Sequence, residues 1–172
     1  MEAIESSQPS SERITAHLGP TVLDMRNLKL FLGGFAFPVP LALEAPSAAD
    51  LGRATLQSFA FAIKDALTTT AKLVGVESTP AVGGGLVRSK TLIKMLAAVT
   101  EDRVMVGTGN DSLIGAILSA ASAIENIKLL ELVQQRRRFL PLVCPISEDV
   151  NMYKELYELW EQRSQIFERA KL

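Results

Sequence analysis

AVGGGLVRSKT, residues Ala81 to Thr91, decides how the chain is read, because it stands one residue away from a phosphate loop. Counted from Gly84, it places Ser89 where the pattern G-x-x-x-x-G-K-[ST] has its second glycine. A phosphate loop follows a buried parallel strand and aims its Lys at phosphate, so a match would make the protein α/β. The residues before it, TAKLVGVESTPAV, contain Gly75 and Pro80 and read as a helix end followed by a loop. No separate strand ending in a magnesium-binding Asp is recognisable downstream. The three glycines therefore read as a hinge-like connector between helices, with Ser89 as the cap of the next one, and nucleotide hydrolysis is not expected. Free amides before a helix start still allow contact with an anion, with Arg88 and Lys90 beside them.

Downstream, residues 86–100 read as an amphipathic helix with Leu92, Met95, Leu96 and Val99 inward and Lys90, Lys94 and Ala97 outward. Residues 103–106 are open to an extended reading. Gly107 and Gly109 match half of a dinucleotide fingerprint, but no βαβ unit is recognisable around them. Residues 111–139 read as one long helix whose apolar face changes direction. Its first half, with Leu113, Ile114, Ile117, Ala120, Ala121 and Ile124, is expected to be buried on most sides, and a kink or a change of packing partner is expected near Glu125. Gly115, Ser119 and Ala123, spaced by four, suit a close helix crossing in a core. Cys144, between Pro141 and Pro145, has no neighbouring base and reads as a buried structural thiol.

The last helix, over 148–170, starts with Glu148 and Asp149 where its dipole favours negative charge. Met152, Tyr153, Leu156, Leu159, Trp160, Ile166 and Phe167 share one face, with Arg163 in its middle. That guanidinium either passes the aromatics at the core edge or meets an anion on a partner. Upstream, Ser47 and Asp50 form a capping pattern and Gly75 a stop, which predicts a helix over 48–74. On its wheel Phe61 falls on the polar face, either as an isolated exposed aromatic or as a partner contact. Thr21, Asp24 and Gly33 bound a further helix over 22–32, and Pro38 and Pro40 make FAFPVPLALEAP an extended strap. Residues 1–20, acidic and serine-rich with a lone His17, read as a flexible tail ahead of a single helical domain over 21–172.

Composition agrees with a helical protein: aromatics are 6% while small and aliphatic residues abound, which favours helix packing over aromatic β pairs. The expected fold is all-α, a five-helix bundle with a long central helix, the Pro-containing strap and a C-terminal amphipathic helix. One Cys and one His leave no internal disulfide and no zinc set, so no metal or cofactor is implied, and a cytoplasmic or other reducing compartment is expected. The first residues lack the basic start and apolar run of a secretory signal, so none is expected, and no apolar run reaches the ~20 residues of a membrane span. The formal net charge of -1 draws the chain neither to nucleic acid nor to an anionic surface as a whole.

No enzyme motif is recognisable, and the chain reads as a non-enzymatic structural or adaptor protein working through helix-mediated self-assembly, as a homo-oligomer, or through a protein partner. Phe61, Tyr153, Trp160, Arg163 and Phe167 are its candidate interface residues. A nucleic-acid-packaging or coat-like subunit is the alternative, using Arg88, Lys90, Lys94 and the run Arg136, Arg137 and Arg138, which otherwise faces a helix C-terminus. A small-ligand or lipid carrier, with a cavity between Ala-rich helices, is a further one.

Overall fold

Capping decides where the longest helix starts and stops. In the computed structural model, which describes residues 14–18, 33–37, 46–75 and 79–169 (side chains to Ile166), α1 spans Ala48–Val74. Ser47 Oγ accepts from Asp50 N at 3.2 Å while Ser47 N donates to Asp50 Oδ2 at 2.9 Å, closing a capping box. Gly75, at φ 71°, ends the helix in the left-handed region and donates to Ala71 O. α2 covers Lys90–Thr100, with the Ser89 hydroxyl accepting from Leu92 N, and α5 covers Ser147–Arg169. The helix expected over 22–32, and the strap beyond Phe37, lie outside the described residues.

The long central helix is two helices. α3, Asp111–Glu125, stops at Asn126, which sits in the left-handed region at φ 53°, and α4, Leu129–Arg137, starts again after Lys128. The break falls where the apolar stripe turns.

Two small sheets correct the all-α expectation, although the chain is mostly helical. β1, Thr15–His17, pairs antiparallel with β2, Gly34–Ala36, with Ala16 opposite Phe35. The second sheet has the order β3-β4-β5, where β3 is Ala81–Val82, β4 Val104–Val106 and β5 Leu142–Val143. β4 runs parallel to β3 and antiparallel to β5. With α2 between β3 and β4, the unit is βαβ, contrary to the reading of Gly107 and Gly109 as lacking one. Strands of two or three residues are too short to show a period-2 pattern, so only pairing defines them.

The core lies where α1, α2 and α5 meet, with Ala60, Phe61, Leu92, Met95, Leu96, Val99, Val104, Tyr153, Leu156 and Trp160 buried together. Phe61 is 2% exposed, so the wheel that turned it outward is corrected. The buried face of α1 runs through Ala54, Ser58, Phe61 and Ala62, and small residues carry too little hydrophobic weight to reveal it. The apolar Leu67, Leu73 and Val74, all exposed, pulled the apparent face the other way. Ala97 is likewise buried rather than outward, and Cys144 is exposed rather than buried. Ile14 to His17, expected in a flexible tail, are buried against α1 and α5. Among the described residues, no helix is long and apolar enough to cross a membrane.

Candidate functional site

The two parallel strands end in glycines. β3 runs into Gly83, Gly84 and Gly85, and β4 into Gly107, Thr108 and Gly109. Hydrogen bonds hold them in register: Met105 N donates to Pro80 O at 2.9 Å and Gly107 N to Val82 O at 2.8 Å. In α/β sheets the crevice beyond the carboxyl ends of parallel strands is where ligands bind, because backbone amides and helix starts converge there. AVGGGLVRSKT is therefore a strand, a glycine loop and a helix start, not an interhelix connector. Between loop and helix stands a 3-10 turn, Gly84–Arg88, which sets α2 one turn further from the strand end.

Two different reasons favour glycine in these loops. Gly84 and Gly109 lie at φ 72° and 85°, where other residues are strained. A Cβ on Gly83 would stand 2.8 Å from Asp111 Oδ2, and one on Gly107 would overlap the same carboxylate. Gly84 and Gly85 have open space where a side chain would project.

Asp111, the first residue of α3, sits between the loops. Its Oδ2 accepts from Gly84 N at 3.3 Å and its Oδ1 from Thr108 N at 3.4 Å. Arg136 reaches back from α4 to donate through Nη2 to Oδ1 at 2.9 Å. Desolvation pushes this carboxyl up, but the amides of Gly84, Thr108 and Gly109, followed by Arg136, outweigh it and hold its pKa below the usual value. The anion that the loop amides hold here is the protein's own Asp111 carboxylate.

Of the basic residues singled out from sequence, Arg88, Lys90 and Lys94 are exposed on the 3-10 turn and α2, as expected. Arg136 is half-buried in its ion pair, whereas Arg137 and Arg138 are exposed, so the run does not act as one patch. Sequence reasoning missed Asp111 and the pairing of the loops. The signal was present as two short apolar doublets, AV and MV, each followed by glycine and separated by one helix length.

Three of the candidate interface residues, Phe61, Tyr153 and Trp160, are buried within this chain. Phe61 packs edge-on to Tyr157 with centroids 5.5 Å apart and lies 5.7 Å from Trp160. Trp160, 2% exposed, donates through Nε1 to Ala16 O at 3.0 Å, and Tyr153 is also buried. Arg163 donates to Thr15 Oγ1 at 3.2 Å, which places its head at the core edge beside β1. Phe167 lies in α5 with its side chain outside the described set.

His17 is the other unusual group. Its Nδ1 lies 3.0 Å from Ser164 Oγ and its Nε2 3.0 Å from Thr15 Oγ1, with the ring stacked on Trp160. Burial, with Arg163 adding to it, pushes its pKa down to about 4, so the imidazole is neutral at pH 7 and pins β1 to α5 by hydrogen bonds.

No protein-family model matches the chain, and no curated protein matches it either. Solved structures do. A xylulose kinase from Rhodospirillum rubrum aligns with a TM-score of 0.69 at 13% identity, covering 96% of this chain and 33% of that one. A gluconate kinase from Lactobacillus acidophilus aligns at 0.68 and 14%, covering 98% and 34%, and a ligand-bound xylulose kinase from the same organism at 0.69 and 15%, with the same coverage. The likeness establishes the fold: the chain is similar to about a third of the length of these sugar kinases. It overturns the reading as a non-enzymatic structural or adaptor protein, together with the packaging-subunit and carrier alternatives. The self-assembly reading also rested on Phe61 facing outward, and Phe61 is buried.

Proposed function

We propose that this chain supplies the nucleotide-binding crevice of a sugar-kinase-like phosphotransferase, with the loops at Gly83–Gly85 and Gly107–Gly109 holding the phosphorylated nucleoside. The observation that carries this reading is the placing of two glycine loops side by side at the carboxyl ends of adjacent parallel strands. The solved structures of the same fold, a xylulose kinase and a gluconate kinase, support it and suggest a sugar or sugar-acid hydroxyl as the phosphoryl acceptor. Phosphoryl transfer depends on positioning and charge stabilisation more than on covalent catalysis, so rigid amides around a polyphosphate are a fitting contribution. Because the chain spans about a third of the kinases it resembles, the acceptor site and the base that takes the hydroxyl proton are assigned to structure beyond the residues described.

Titration of the 172-residue chain with ATP and magnesium, by calorimetry or a fluorescent ATP analogue, tests the reading. Saturable binding is expected, weakened at least about tenfold by Gly85→Val, whose Cβ would project into open space with no protein atom within 4 Å. A folded chain that shows no saturable binding at millimolar nucleotide would sink it.

A further inference from the structure

Five glycines line the two loops, and the structure divides them by what they make room for. Gly84 and Gly85 face open space, while Gly83 and Gly107 face the Asp111 carboxylate so closely that a side chain at either would displace it. Asp111 thus fills the gap between the loops and accepts amides from both, among them Gly84 N at 3.3 Å and Thr108 N at 3.4 Å. A carboxylate in that position fixes the loops but also sets a negative charge beside amides suited to phosphate, and like charge at this range repels. Arg136 resolves the conflict. It stands 25 residues away on α4, returned to the site by the left-handed joint at Asn126, and its Nη2 lies 2.9 Å from Oδ1.

We propose that Asp111 and Arg136 form a neutralised clamp: Asp111 is a positioning residue that sets the spacing of the two glycine loops, and Arg136 cancels its charge so that a nucleotide phosphate can enter. The ligand in this inference rests on the nucleotide reading, whereas the spacing of the loops does not. The two members have unequal roles. Loss of Arg136 leaves an uncompensated carboxylate facing the ligand; loss of the Asp111 charge leaves a free guanidinium, which attracts phosphate. A pair that served only to hold α3 on α4 would show equal effects from either side.

Two measurements on the 172-residue chain test the clamp: affinity for ATP with magnesium, and hydrogen exchange at the amides of Gly84 and Thr108. Arg136→Met is expected to weaken nucleotide binding about tenfold, and Arg136→Lys, which keeps the charge, to stay within about threefold of the parent. Asp111→Asn is expected to speed exchange at both amides with a smaller loss of affinity. The double variant Asp111→Asn with Arg136→Met should bind more tightly than Arg136→Met alone, because the repelling charge is gone. The proposal is overturned if the double variant binds no better than Arg136→Met, or if Asp111→Asn leaves both amides exchanging at the parent rate. Should the parent chain bind no nucleotide, the functional reading fails, and the exchange measurement still decides whether Asp111 sets the loops.

Discussion

α2 and α3 follow the two glycine loops in the same way, yet their fates differ. α2 buries Leu92, Ile93, Met95, Leu96, Ala97, Ala98 and Val99 in a span of eleven residues, wedged between α1 and α5 and lying on β4. α3 is longer and carries charge only at its ends, Asp111 and Glu125, yet none of its residues is buried. Leu113, Ile117 and Ile124 are 62%, 56% and 84% exposed. Hydrophobic content measures how much a helix gains from being covered; whether it is covered depends on which elements stand beside it. α2 is packed by α1, α5, β4 and β5, whereas the described residues offer α3 mainly α4.

Substitution sharpens that contrast, and its largest effect lies in α2. Leu96→Ala removes a side chain that is 2% exposed and should cost about 3 kcal/mol in urea unfolding, within the range for buried leucines. A loss under about 1 kcal/mol would mean that the α2 interface is not the centre of stability.

Acid comes next, acting on the β1 side of the same core. Because His17 has a folded pKa lowered from 6.5 to about 4, the unfolded chain takes up its proton first as pH falls. Its contribution is full above about pH 6.5 and is lost between there and about 4, a decrease of order 2 to 3 kcal/mol. Urea midpoints at a series of pH values check this, and His17→Gln should flatten the slope in that window.

The smallest effect is expected on α3. Ile117→Ser should change stability by less than about 0.5 kcal/mol, since the side chain is already half in water. A loss of about 2 kcal/mol there would break the contrast and show that α3 is covered in solution.

How much was legible from sequence follows the same division between local and distant causes. Ser47, Asp50 and Gly75 gave the bounds of α1, and Ser89 the start of α2, because caps act within one turn. The change of direction near Glu125 was readable, though as a kink; Asn126 turns it into a full stop. The facing of Phe61 was not readable, because it depends on Tyr157 and Trp160, about a hundred residues away in sequence. β3 and β4 hide for the same reason, since a two-residue strand exists only through its partner. Asp111 looked like a first-turn acid and Arg136 like a last-turn base, and each is that as well; their meeting needs the reversal between α3 and α4. Arg137 and Arg138 stay exposed at the end of α4.

The seating of β1 on α5 has a consequence for the order of folding. Its three side-chain ties, Trp160 to Ala16, His17 to Ser164 and Arg163 to Thr15, join residues 144, 147 and 148 positions apart. Closing so long a loop costs more entropy than the nearer contacts that join α1 to α2, so the ties of β1 to α5 are expected to form after that pair. The only Trp of the chain sits under that last strand. Its fluorescence should therefore lag behind helix formation during refolding, and the delay between the two signals times the closing of β1 over the core.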